Sequence, residues 1–237
     1  MSILFYLATI LFLVGITMKI IQFARAPAPL KIPTTPAPAT KVGVVARLAR
    51  ETLFFESLFR ANLLLWFFAI LFHGGLALVF LRHLRYFLDP VPIWLVWLQP
   101  FGIYGGIAMV VGLAGLLARR FLIQRVRYVS TPSDYLWLVL LLLIGVSGLV
   151  MTYFVHPDVV VLKAYMQSLW RFAPESFPSD PVLTVHLLGF LVLLALFPFS
   201  KLLHAPGLFF SPTRNQADDP RERRHMAPWS SVELERN

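Results

Sequence analysis

Five stretches of the chain are apolar over about the 20 residues a helix needs to cross hydrocarbon: Ile3 to Phe23, Ala61 to Leu81, Trp97 to Ala118, Tyr135 to Val155 and Val182 to Leu203. Backbone polar groups in lipid must be satisfied within their own segment, and no ten-residue alternating strands occur, so the runs predict helices rather than barrel staves. The fold class is all-α, an integral membrane bundle of five transmembrane helices. Of the 18 prolines only Pro198 falls well inside a run, which predicts a kink in the fifth helix; Pro100 falls near the start of the third, where a missing N–H costs little. The first run resembles a signal peptide only in Ala24-Arg25-Ala26. It has no Lys or Arg before it and exceeds a 7–15-residue apolar region, so it reads as a retained helix.

Between the runs the polar segments divide the chain into a first span at 1–23, a loop at 24–60, a four-helix core at 61–203 and a tail at 204–237. Pro27 to Pro38 reads as an extended spacer. Val42 to Arg60 mixes Arg47, Arg50 and Glu51 with Val44, Val45, Leu48, Leu53 and Phe54. It fits either an amphipathic helix at the headgroups or the solvated start of a longer second helix. The tail, rich in Arg, Asp, Asn and Pro, reads as soluble.

Composition agrees: 58% of residues are hydrophobic and 14% charged, with no cysteine, far more apolar than a soluble domain. Lacking cysteine, the chain has no disulfides, thiolate zinc sites, iron–sulfur clusters or covalently attached c-type haem of its own. The net charge of +9 is sorted by loop instead of forming one basic face, so nucleic acid is not the expected partner; the partner is the lipid membrane. Of 21 Lys and Arg, seven lie at Lys19 and from Arg25 to Arg60, four from Arg119 to Arg127 and six from Lys201 onward; Arg82, Arg85, Lys163 and Arg171 are the remainder. Basic loops stay cytoplasmic, which predicts the N-terminus outside, the C-terminus in the cytoplasm, and a place in a bacterial inner (cytoplasmic) membrane.

Candidate chemistry lies in six histidines. His156 and His225 fall outside the spans and read as surface residues. His73, His83, His186 and His204 lie in or at the ends of the second and fifth helices, where ionisable groups are costly and usually functional. Since those helices run in opposite directions, His73 pairs with His204 toward the cytoplasm and His83 with His186 toward the outside. Each level offers one imidazole from either helix, as two bis-imidazole haems of b type require. Helical rise gives about 15 Å from His73 to His83 but about 27 Å from His186 to His204, a mismatch left for tilt or the Pro198 kink to absorb. Eighteen residues return His204 to the face of His186, whereas His73 and His83 are roughly 80° apart. Gly74, Gly75 and Gly189 offer a porphyrin close approach or serve helix packing. Arg82, Arg85 and Lys201 lie at depths suited to haem propionates, or else snorkel to headgroups. A metal path or proton relay would recruit Asp or Glu within the spans, and none of the five runs contains one.

The five helices, the histidine pair ten apart and the pair eighteen apart resemble the gamma subunit, a membrane cytochrome b, of respiratory nitrate reductase, over roughly Ala61 to Leu203. The run from Ser200-Lys201-Leu202-Leu203-His204-Ala205-Pro206-Gly207 to Gln216, followed by Asp219-Pro220-Arg221-Glu222-Arg223-Arg224-His225, is similar to the DsrM-type branch of the dissimilatory sulfite reductase-associated electron transfer complex. The resemblance implies that His73, His83, His186 and His204 ligate two haems b. It also implies quinone as mobile redox partner and a cytoplasmic iron–sulfur subunit of the heterodisulfide-reductase-like kind, with other subunits of a membrane complex. The basic residue that the nitrate reductase subunit places near its outer haem has no clear counterpart here; Arg85 and Asp89 are the nearest polar residues by position.

The expected function is electron passage between the quinone pool and that partner, in a sulfur-metabolism respiratory complex. The chain would be an electron-transfer subunit without a complete active site of its own. Two alternatives stand beside it: a cytochrome b subunit of nitrate reductase or another quinol-linked oxidoreductase, and a non-redox anchor or transporter using the histidines for a metal or for helix contacts. Arg214 to Arg224, with Phe209, Phe210 and Trp229, is either a docking element or a solvated positive-inside tail.

Overall fold

A computed structural model describes residues 1–27 and 32–218. Its described elements are helical: α1 (Ser2–Arg25), α2 (Lys41–Phe54), α3 (Glu56–Ala61), α4 (Leu63–His83), α5 (Ile93–Leu122), α6 (Gln124–Val129), α7 (Pro132–Val150), α8 (Val159–Trp170), α9 (Pro181–Leu196) and α10 (Ala205–Phe210). Five segments are long and apolar enough to cross a membrane: Ser2–Arg25, Leu63–Tyr86, Ile93–Leu122, Pro132–Val155 and Pro181–Phe199. The protein is a multi-pass, all-helical membrane protein. Along α1, Ile3, Leu7, Ile10 and Val14 are more than half exposed, an apolar face suited to lipid.

Contacts divide the chain into two units, one of residues 1–20 and 55–203, the other of residues 21–54 and 204 onward. Within the first unit α4 packs along α5, α5 along α7, and α7 along α9. Hydrophobic burial gives little drive between helices in lipid, so close backbone approach matters most. At Gly75 an added Cβ would fall 2.5 Å from the Gly105 carbonyl oxygen, and at Gly112 one would fall 2.6 Å from the Phe72 nitrogen. These contacts weld α4 to α5. Among the described residues α4 and α9 do not pack along one another as these pairs do; Leu193 of α9 meets the cluster of Phe72, Met109, Leu113 and Leu141 instead.

Neither proline sits where the sequence places it. Helix α5 begins at Ile93, earlier than the apolar run, so Pro100 lies inside it. Helix α9 ends at Leu196, and buried Pro198 sits in a 3-10 turn at Phe197–Phe199. Proline therefore stops the fifth helix instead of kinking it, because its ring and missing N–H oppose continuation. The 27 Å helical rise predicted between His186 and His204 does not exist. An added Cβ at Gly15 of α1 would lie 2.8 Å from Pro198, so α1 seats directly on this turn.

The Val42 to Arg60 segment is not the start of a longer second helix. Phe55 adopts a left-handed conformation (φ 51°) and Asn62 an extended one (φ −159°), separating α2, α3 and α4. Asn62 then caps α4, its Oδ1 accepting from the Leu65 N–H at 2.8 Å. Helix α8 is an element with no counterpart among the apolar runs. Its Leu162, Tyr165, Met166 and Leu169 form a core with Ala8, Leu183, Leu187 and Leu191. Asp158 caps it, accepting from Val160 and Val161.

In the second unit the proline-rich loop and the described part of the tail bond to one another. The Thr34 N–H donates to the Thr213 carbonyl at 2.8 Å and the Asp218 N–H to the Pro38 carbonyl at 2.8 Å. Arg214 pairs with Glu51 at 3.2 Å, and Arg47 donates to the Thr34 carbonyl at 3.1 Å. Residues 204–218 are thus anchored by their own bonds rather than forming a loose tail.

Candidate functional site

His83 ends α4 and His186 lies in the second turn of α9. Their ring centroids are 6.2 Å apart and their planes are 11° from parallel. The rings are stacked, and their centres are close enough for both imidazoles to reach one metal.

Hydrogen bonds decide which nitrogen each ring offers. The His83 Nδ1 lies 2.7 Å from the Val79 carbonyl and the His73 Nδ1 lies 2.8 Å from the Ala69 carbonyl. A carbonyl only accepts, so both Nδ1 atoms carry hydrogen and both Nε2 atoms keep a lone pair. The His186 Nδ1 lies 3.0 Å from the Ser147 hydroxyl, which donates to the Ile144 carbonyl at 3.0 Å. Ligating histidines commonly have their second nitrogen occupied in this way.

The glycines beside the histidines differ in their surroundings. Beside His73, a Cβ at Gly74 would meet nothing within 4 Å, so that face of α4 stays open. Gly75 and Gly189, by contrast, are packing positions, against α5 and against Ile144 of α7. Among the described residues no group of three His, Cys, Asp or Glu converges. A metal bound by these paired imidazoles would have to bring its remaining ligands with it, as porphyrin iron does.

The predicted cations have defined partners. Arg82 is half-buried, its methylenes against Gly102 and its Nη1 3.5 Å from the Gln99 carbonyl oxygen. Arg85 donates to the Gln99 Oε1 at 3.3 Å and lies 5.2 Å from the Tyr86 ring centre. Gln99 was absent from the sequence expectations, although a lone amide in the apolar α5 run is a readable signal. Asp89 is held by Lys163 at 2.9 Å, not by Arg85. Lys201 bonds to Asp134 at 3.0 Å and to the Thr131 hydroxyl at 3.1 Å, at the start of α7.

His73 and His204 are placed differently. The His73 ring meets Phe55 edge-on at 5.0 Å and Phe72 at 4.6 Å. His204 is exposed and belongs to the second unit, immediately before α10, not at the end of a continuous fifth helix. His156 is exposed, as its position outside the spans predicts. Phe210 packs on Phe23 at 6.2 Å, while His225, Trp229 and Arg221 to Arg224 lie outside the described residues.

Comparison with known proteins gives a match to the nitrate reductase gamma subunit family over residues 39–214, a longer stretch than the resemblance read from the histidines. The chain is 37% identical to the Hdr-like menaquinol oxidoreductase cytochrome b-like subunit of Archaeoglobus fulgidus, with 97% of this chain and 82% of that protein aligned. It is 33% identical to the like-named subunit of Archaeoglobus profundus, over 94% and 80% of the two chains. It is also 31% identical to the respiratory nitrate reductase 2 gamma chain of Escherichia coli strain K12, over 66% and 77%.

Proposed function

The chain belongs to the nitrate reductase gamma-subunit family, and from that premise we propose that it is a di-haem cytochrome b subunit carrying electrons between menaquinol or another quinone and a cytoplasmic iron–sulfur partner. Quinol-linked electron transfer is supported by the names of its relatives. The observation that carries the haem reading is the His83–His186 pair, one imidazole from each of α4 and α9 with ring centres 6.2 Å apart. Bound haem supplies reversible one-electron chemistry.

In this reading His83 and His186 hold one haem through Nε2, and His73 and His204 hold the other. Arg82 and Arg85 would neutralise the carboxylates of the first. Lys201 has three donors and spends two on Asp134 and Thr131, which leaves one for a carboxylate of the second. The N-terminus lies outside and the C-terminus in the cytoplasm, following the basic loops of a chain in the cytoplasmic membrane. A heterodisulfide-reductase-like partner in a sulfite reductase-associated complex is favoured by the tail sequence and by the high coverage of the Hdr-like relatives. A nitrate reductase assembly is the alternative, and co-purification with a molybdenum subunit would establish it.

The test is a pyridine haemochrome assay with a reduced-minus-oxidised spectrum on detergent-purified protein, normalised to chain. Two b-type haems per chain are expected. A folded chain made with ample haem and lacking a Soret band would overturn the proposal in favour of an anchor or transporter.

A further inference from the structure

Of the three histidines whose Nδ1 partner is defined, two are steadied by their own helix. His73 and His83 each donate to the carbonyl four residues back, a partner no substitution removes. His186 instead reaches across to α7, where it meets the side chain of Ser147 with the Ile144 carbonyl beside it. Ser147 is 7% exposed, one of few polar side chains buried in the structure.

The contact is built from both helices. Ile144, Ser147 and Gly148 fall at i, i+3 and i+4, on one face of α7, and His186 and Gly189 fall at i and i+3 on α9. A Cβ at Gly189 would lie 3.0 Å from Ile144, so the helices are close there. A Cβ at Gly148 would lie 3.3 Å from the His186 Cε1, so its absence lets the ring lie against α7. Ser147 spends its only hydrogen on the Ile144 carbonyl. Its oxygen then accepts from His186 Nδ1–H, and Nε2 is left as the nitrogen with a lone pair to give a metal.

We propose that Ser147 is a positioning residue that fixes the tautomer and orientation of His186 and tunes the metal it ligates. This rests on the haem reading of the His83–His186 pair. An acceptor on Nδ1–H raises the basicity of the ligating nitrogen and so favours the oxidised metal. Loss of that acceptor moves the midpoint potential upward.

The test is a potentiometric titration, with low-temperature electron paramagnetic resonance, of the purified full-length chain and of Ser147→Ala, Ser147→Thr and Ser147→Cys. Two haems per chain in wild type are the precondition, and their absence overturns this inference together with the reading beneath it. With both haems present, Ser147→Ala is expected to raise one midpoint and alter the signal of that haem alone, while Ser147→Thr, which keeps the hydroxyl, stays at the wild-type value. Loss of that one haem from a folded Ser147→Ala chain, with retention in Ser147→Thr, supports the same role. Two retained haems with unmoved midpoints in Ser147→Ala overturn the positioning role and leave the haem reading intact. Should Ser147→Ala not fold, the nearly isosteric Ser147→Cys, a weaker acceptor, must show an upward shift in one midpoint; no shift overturns the inference.

Discussion

The two histidine levels are built by different means. His83 and His186 both lie on membrane helices of one unit, 6.2 Å apart, with each Nδ1 engaged. His73 is likewise engaged and is walled by Phe55 and Phe72, but its predicted partner His204 lies beyond the end of α9, before a six-residue helix of the other unit. His83 and His186 stand on transmembrane helices of one unit, whereas His204 stands on a short, exposed segment of the other. Short elements with few buried contacts open at lower free-energy cost than helices in a packed core.

The largest expected effect comes from removing ligands. His83→Ala and His186→Ala should each lower the haem-to-chain ratio from two to one and leave the same spectral component behind. His73→Ala and His204→Ala should leave the complementary component. If His83→Ala and His204→Ala retained the same component, the pairing by level would be wrong. Heating provides a sharper form of the comparison. Followed by Soret absorbance, the component dependent on His204 should be released at the lower temperature, and simultaneous release would show that both levels share one cooperative unit.

Phe55 gives an intermediate test. It holds a left-handed backbone conformation, which costs a bulky residue about 1–3 kcal/mol, and its ring lies edge-on to His73. Phe55→Gly removes both the strain and the ring. The expected result is a changed midpoint for the component that His73 supports, with the other unmoved; a change confined to the His83–His186 component would place Phe55 at the wrong level.

What could be read in the sequence divides along physical lines. The five spans were legible because 20 apolar residues are a long signal, and the histidine spacing was legible because charge is rare in lipid. Helix α8 was not, since its 12 residues are too short to span and its buried face becomes visible only against Leu183, Leu187 and Leu191. Hydropathy could not separate Pro100, which α5 tolerates, from Pro198, which ends α9, because both sit in apolar surroundings. Ser147 and Gln99 each bond to a carbonyl of their own helix, as isolated polar residues in apolar runs do, and their second partners, His186 and Arg85, become visible only in the fold.

Lys201 offers the smallest effect and bears on the proposed His73–His204 pair alone. Its ammonium bonds to Asp134, which also accepts from the Thr131 N–H at 2.8 Å and the Thr131 hydroxyl at 2.9 Å to close a capping box on α7. Asp134→Ala removes the box and should cost about 1 kcal/mol, read as a lower melting temperature. Lys201 is 62% exposed, so Lys201→Ala should cost only a few tenths of a kcal/mol through the lost ion pair. A cation near a haem carboxylate favours the reduced state, so the same substitution should lower one midpoint, that of the component depending on His73 and His204. An unmoved midpoint in Lys201→Ala, beside a lowered melting temperature in Asp134→Ala, would make Lys201 part of a helix cap and nothing more, and would leave the carboxylates of that level to another cation.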